Sequence, residues 1–127
     1  MKLGNNEVQL TKIVEKMGLV NLTPQIDTDT KYVTQPDVNR PALQLAGFYD
    51  HFDNERVQII GYVEEAYIET LDRETRVQRY RQLMESNIPC LIFCRSQQPD
   101  QDLLEVALKY EIPLLSSDAS TSSFMAE

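Results

Sequence analysis

The run Cys90-Leu91-Ile92-Phe93-Cys94 constrains this chain more than any other stretch. Side chains alternate sides along a strand, and here both sides are apolar, so a strand built from these residues needs cover on both faces. That places it in the interior of a sheet with helices packed above and below. It is also the longest apolar run in the sequence, far short of the ~20 residues that cross a bilayer. No basic segment followed by an apolar stretch opens the chain, so no signal peptide is read. The expected setting is cytoplasmic, without a membrane partner. As residues of one strand, Cys90 and Cys94 stand roughly 13 Å apart, beyond disulfide reach, and they read as reduced, buried thiols.

Around that strand, helical and extended patterns alternate. Val8 to Leu10 reads as a short strand, and Thr11 as the N-cap of a helix through Met17 that Gly18 stops. Residues 21–30 are polar and turn-rich, and Lys31 to Thr34 reads as a second strand. Asn39 or Arg40 is expected to cap a short helix, with Pro41 in its first turn and Gly47 at its end. Val57 to Gly61 reads as a central strand and Val63 to Leu71 as a short helix. Asp72 caps the longest predicted helix, to about Ser86, with Val77, Tyr80, Leu83 and Met84 on its apolar side. Pro99 is expected in the first turn of a further helix whose buried face is Leu103, Leu104, Ala107 and Leu108. Ile112 to Leu115 leads into a last strand. Strands alternating with helices predict an α/β fold with a largely parallel sheet flanked by helices.

At 127 residues the chain suits a single domain. Residues 1–115 form the predicted domain. Residues 116–127 read as a linker, because Ser116 to Ser123 contains six Ser or Thr in eight residues. The net charge of −8 disfavours a nucleic-acid partner, since a phosphate backbone repels it.

Catalytic signatures are sparse. The sequence has no P-loop, no GxGxxG and no HExxH. The only histidine, His51, lies between aromatic residues beside Asp50 and Asp53, which reads as a polar loop rather than a metal or general-base site. Arg73, Arg76 and Arg79 recur at helical spacing and read as a solvated face paired with carboxylates such as Glu69 and Glu74. The densest polar group is Asp37-Val38-Asn39-Arg40-Pro41. Asp37 and Asn39 can close a turn and cap backbone N–H groups, while Arg40 has no helix-building role and is a candidate anion or partner contact. On that reading Arg40→Ala costs less stability than loss of a cap at Asn39, which is worth ~1 kcal/mol.

The stretch from Asp37 to Phe48 resembles the D-x-N-R-P-x-L-x-L-x-G segment of HPr kinase/phosphorylase. So do Arg56-Val57-Gln58-Ile59-Ile60-Gly61 with Glu64 and Tyr67, Ser86 to Ile92, and Tyr110 to Leu115. These motifs are co-linear from about Val8 to Phe124 and correspond to the N-terminal domain of that family. Ala42 stands where the family often has Gly, and Ser116 to Ala119 where it is often basic.

The resemblance implies a fold like the N-terminal domain of Mur ligases. It also implies a non-catalytic regulatory or assembly role in a bifunctional HPr serine kinase/phosphorylase that controls bacterial carbon catabolite repression. The implied partners are a C-terminal kinase domain, reached through the 116–127 linker, other subunits of a homo-oligomer, and HPr of the sugar phosphotransferase system through the full-length enzyme. ATP and magnesium are expected only in that kinase domain, so no cofactor, metal or catalytic residue is assigned to this chain. The alternative is a small-ligand sensor for an anion or nucleotide-like molecule, acting alone.

Overall fold

The strands of this protein are only two to four residues long, and most are followed by a helix that carries the chain back to begin the next strand. The computed structural model describes residues 7–35 and 37–120. In chain order these form β1 (Val8–Gln9), α1 (Leu10–Met17), β2 (Val20–Asn21), a 3-10 turn (Thr28–Thr30), β3 (Tyr32–Val33), β4 (Val38–Asn39), α2 (Ala42–Leu45), β5 (Val57–Ile60), α3 (Tyr62–Ile68), α4 (Arg73–Glu85), β6 (Leu91–Phe93), α5 (Gln101–Tyr110) and β7 (Leu114–Ser116).

The main sheet has five strands in the order β2-β7-β6-β5-β4. β4, β5, β6 and β7 are parallel, and β2 joins antiparallel to β7 at one edge. β1 and β3 form a separate antiparallel pair. The fold is therefore α/β with a mostly parallel sheet. From β4 to β7 the spatial order follows the chain order, so the winding never reverses. The crevice that a reversal opens in doubly wound sheets is not built among these strands.

Alternation along the strands divides the core in two. Ile60, Leu91, Phe93 and Leu114 face one way, against Leu45, Ile68, Leu83, Met84, Leu103 and Ala107 of α2 to α5. Ile59, Ile92, Leu115 and both cysteines face the other way, against Leu10, Leu19 and Val33, with Ile13, Val14 and Met17 of α1. Cys90 to Cys94 is fully buried at the centre of the sheet, and neither cysteine is in a disulfide. The helices begin and end on local chemistry. Asp72 accepts the Thr75 N–H at 2.8 Å and Asp100 accepts the Leu103 N–H at 2.8 Å. Gly18 takes the left-handed conformation, φ 63°, that ends α1.

Several local expectations are corrected. Thr11 is not a cap: the helix starts at Leu10 with Gln9 before it, and the Thr11 hydroxyl instead bonds Thr28 and Asp29. The turn-rich 21–30 stretch contributes β2 and the 3-10 turn, because Leu22 N–H and Thr23 Oγ1 bond to either side of Leu114 and align the strand on β7. Neither Asn39 nor Arg40 caps α2; the cap position is Pro41, whose side chain carries no hydrogen-bond acceptor. β5, by contrast, is paired on both sides, by β4 and β6, and is buried along its length, as expected of a central strand. α3 starts at Tyr62 and ends at Ile68, three residues short of Leu71. Pro99 precedes the Asp100 cap, and Val106 rather than Leu108 completes the buried side of α5. Ser116 ends β7 and is buried with Ser117, so the Ser/Thr-rich stretch begins inside the sheet. Pro36, Phe124 and the 121–127 part of the expected linker lie outside the described residues.

Candidate functional site

In parallel sheets, functional groups collect where the strands end at their carboxyl side. Here those ends carry Arg40 after β4, Gly61 after β5, Arg95 and Ser96 after β6, and Ser117 to Ala119 after β7. Arg40 is the best-defined of them. Its Nε and Nη2 donate to the two carboxylate oxygens of Glu64 at 3.1 and 2.8 Å. Glu64 is 1% exposed, whereas Arg40 remains 35% exposed. Glu64 Oε1 also accepts the Gly61 N–H at 2.8 Å, which closes the first turn of α3. The pair ties the end of β4 to the start of α3, and the guanidinium charge is matched by the carboxylate it holds.

Asn39 goes elsewhere. Its Nδ2 donates to Gln44 Oε1 at 3.1 Å and to Gln58 Oε1 at 2.7 Å. Gln58 is fully buried on the helix side of β5 and also donates to the Arg56 carbonyl. This amide cluster satisfies a polar side chain in an otherwise apolar strand. Asp37 is exposed and lies 3.9 Å from Arg56. The structure thus brings Asp37, Asn39 and Arg40 to three different partners rather than around one point.

The predicted arginine face is structural, but with other partners than Glu69 and Glu74. Arg73 makes a two-pronged contact with Asp102 at 3.0 Å, and Arg76 reaches Asp102 and Asp100, both at 3.2 Å. These contacts join α4 to the start of α5. The Arg73 guanidinium bonded to Asp102, helped by Arg76, holds that carboxyl below its usual range. Tyr80 O–H donates to Asp100 at 2.7 Å; burial first, then that bond, raises the phenol pKa. Burial and the neighbouring Asp100 and Glu69 raise Glu65. Arg79 donates to the Leu45 carbonyl at 2.8 Å and lies against Gly47, where a Cβ would stand 3.4 Å from the guanidinium.

No reacting pair is assembled among the described residues. His51 is on an exposed loop at φ 63°, and Cys90 is sealed in the sheet with its thiol pushed up to about 12 by burial. No group of three or more His, Cys, Asp or Glu among the described residues has metal-binding geometry. An open depression on α4 is lined by Arg73, Glu74, Val77, Gln78 and Arg81.

What the rim does offer is recognition surface. Tyr62 and Val63, at the start of α3, are 61% and 62% exposed, and the Arg95 guanidinium stands 4.8 Å above the Tyr62 ring. Gln58 and Glu64 entered the sequence reading only as part of the family motif, without a structural role, and Tyr62 and Arg95 did not enter it. Only Glu64 had a signal, its position three residues after the Gly61 that starts a helix.

No helix among the described residues is long and apolar enough to cross a membrane. By fold, the chain is similar to the CBS and DRTGG domains of the regulatory region of Clostridium perfringens pyrophosphatase, a structure complexed with the activator diadenosine tetraphosphate. The TM-score is 0.59 at 15% identity, covering 91% of this chain and 43% of that one. By sequence, it is 49% identical over 120 residues to the HPr kinase/phosphorylase of Lachnoclostridium phytofermentans, covering 94% of this chain and 39% of that protein. It is 40% identical over 114 residues to that of Caldicellulosiruptor bescii, covering 90% and 37%. The chain therefore spans about two-fifths of the length of these relatives. Residues 8–127 match the family described as HPr Serine kinase N terminus, and the chain belongs to that family.

Proposed function

We propose that this chain is the non-catalytic regulatory or assembly domain of a bifunctional HPr serine kinase/phosphorylase that governs bacterial carbon catabolite repression. In this reading the phosphoryl chemistry, ATP and magnesium belong to a kinase portion of the same protein. HPr is met through the whole enzyme, in a cytoplasmic homo-oligomer. The observation that carries the reading is how the strand-end charges are used. Arg40, the most suggestive cation of the sequence, is occupied by a buried carboxylate, and Arg73 and Arg76 clamp two helices together. Phosphoryl transfer needs groups positioned around a phosphate, and these three arginines are already committed to holding elements in place. The rim instead exposes aromatic and aliphatic side chains of the kind that meet another protein surface.

A ligand-sensing role acting alone has less support. The likeness to the pyrophosphatase regulatory region concerns fold, and β4 to β7 wind without the reversal at which open α/β sheets commonly bind ligands. The deciding assay incubates the 127-residue chain with HPr, ATP and magnesium, and separately with serine-phosphorylated HPr and inorganic phosphate. The expected result is no transfer in either direction. Turnover by the chain alone overturns the proposal.

A further inference from the structure

We propose that Leu43, Phe48, Tyr62 and Val63, together with Arg95, form the surface on which the next domain of the same polypeptide docks. The inference rests on the reading above, in which a kinase portion follows this segment.

Among the described residues seven large hydrophobic ones are exposed, and they fall into two groups. Val8, Val20 and Tyr32 belong to β1, β2 and β3. The other four lie on or beside the neighbouring helices α2 and α3, with Leu43 and Phe48 joined by a 2.9 Å main-chain bond. Leu43, Tyr62 and Val63 are each more than 60% exposed. Side chains of this size on adjoining short helices mark an interaction surface rather than scattered exposure.

Where the chain goes next identifies the occupant. Arg95 and Ser96 both adopt left-handed backbone conformations, φ 57° and 55°, which side-chain-bearing residues adopt at a cost. Two main-chain bonds hold them there: Arg95 N–H to the Ala119 carbonyl and Ser96 N–H to the Ser117 carbonyl, each 2.8 Å. The segment leaving β7 is thus stitched to the residue that stands over Tyr62. In the Lachnoclostridium relative the matched stretch is 39% of the protein, and in this chain Ser117 and Ala119, close to the last described residue, are bonded at this rim. A covalently linked domain arrives at high effective concentration. A modest apolar patch therefore suffices, well under the ~800 Å² per partner that a free dimer of separate chains needs. Arg95 has no carboxylate partner among the described residues. The docking face is accordingly aliphatic and aromatic, with an acidic residue placed for Arg95.

The test joins the full 127-residue chain to the part of the Lachnoclostridium relative that follows its matched segment. Hydroxyl-radical labelling, read by mass spectrometry, then compares side-chain reactivity in the fusion and in the 127-residue chain. Phe48 and Tyr62 are expected to lose about fivefold or more of their labelling rate, as residues at an interface core do, while Tyr32 keeps its rate. Val63→Asp is expected to restore Tyr62 labelling in the fusion, and Val20→Asp to leave it protected; both sites are exposed, so folding is spared. Unchanged labelling of Phe48 and Tyr62 on fusion overturns the inference. So does protection already present in the 127-residue chain that disappears on dilution, which assigns the patch to a second copy. HPr phosphorylation by the fusion is scored separately. Its absence counts against the kinase reading, whereas an active fusion with an unprotected patch counts against the docking surface alone.

Discussion

Arginine meets carboxylate in two parts of this molecule, and the two meetings differ in kind. Between α4 and α5, Arg73 is 77% exposed where it grips Asp102, with Arg76 alongside. At the end of β4, Arg40 grips a carboxylate that is 1% exposed and that also receives a main-chain N–H. The hydrogen-bond counts are similar, yet the consequences of losing the arginine are not. Water replaces Arg73 at the surface, where salt also screens the charge. Nothing comparable replaces Arg40, so its removal leaves Glu64 as a buried charge with one backbone donor. Burial of the carboxylate, rather than the number of contacts, decides which arginine the fold depends on.

The limiting case is a buried charge given no partner at all. Ile92 is 1% exposed on the central strand, and Ile92→Asp is expected to cost several kcal/mol and abolish the folded circular-dichroism spectrum. Arg40→Ala comes next. Breaking a buried pair from one side costs about 3–5 kcal/mol, and the partial exposure of Arg40 brings the expectation to about 2–3 kcal/mol in denaturant melts. Adding Glu64→Gln, which keeps an acceptor for Gly61, is expected to recover part of that loss.

Asn39→Ala is expected to cost about 1–2 kcal/mol, by leaving buried Gln58 Oε1 without its donor. The order is thus Arg40 above Asn39, the reverse of what the sequence implied. Arg73→Ala is the smallest, within the error of a melt at physiological salt. Asp102 adds a pH signature. Its folded pKa lies below the ordinary value of 3.8, so its contribution is present above that value and fades as pH falls through the depressed one. Asp102→Asn is expected to flatten that acid limb of the stability profile, by lowering stability slightly at neutral pH and leaving it unchanged below the depressed pKa.

The same contrast explains what the sequence could reveal. The central strand was legible because Leu91, Ile92 and Phe93 are apolar on both faces, and α4 because Asp72 caps a helix whose Tyr80, Leu83 and Met84 recur at helical spacing. Gly18 ended α1 as its conformational freedom suggests. β2 and β4 were not legible. Each has two residues, Val20–Asn21 and Val38–Asn39, and pairing with β7 and β5 rather than local propensity makes them strands. The Asp37–Pro41 motif was visible as a dense polar group, but its meaning depends on Glu64 and Gln58, 24 and 19 residues away from Arg40 and Asn39. A carboxylate in α3 and an amide in β5 look like surface residues until the tertiary fold buries them.

The central claim is that Arg40 serves the fold through Glu64, and a double-mutant cycle addresses it most directly. Stability is measured for Arg40→Ala, Glu64→Gln and their combination, with Arg73→Ala, Asp102→Asn and their combination as the surface counterpart. The account predicts a coupling of about 2 kcal/mol for the first pair, as close contacts in a buried network give, and a coupling near zero for the second. A first coupling no larger than the second, with Arg40→Ala as stable as the parent chain, contradicts it and frees Arg40 to act on a ligand or partner.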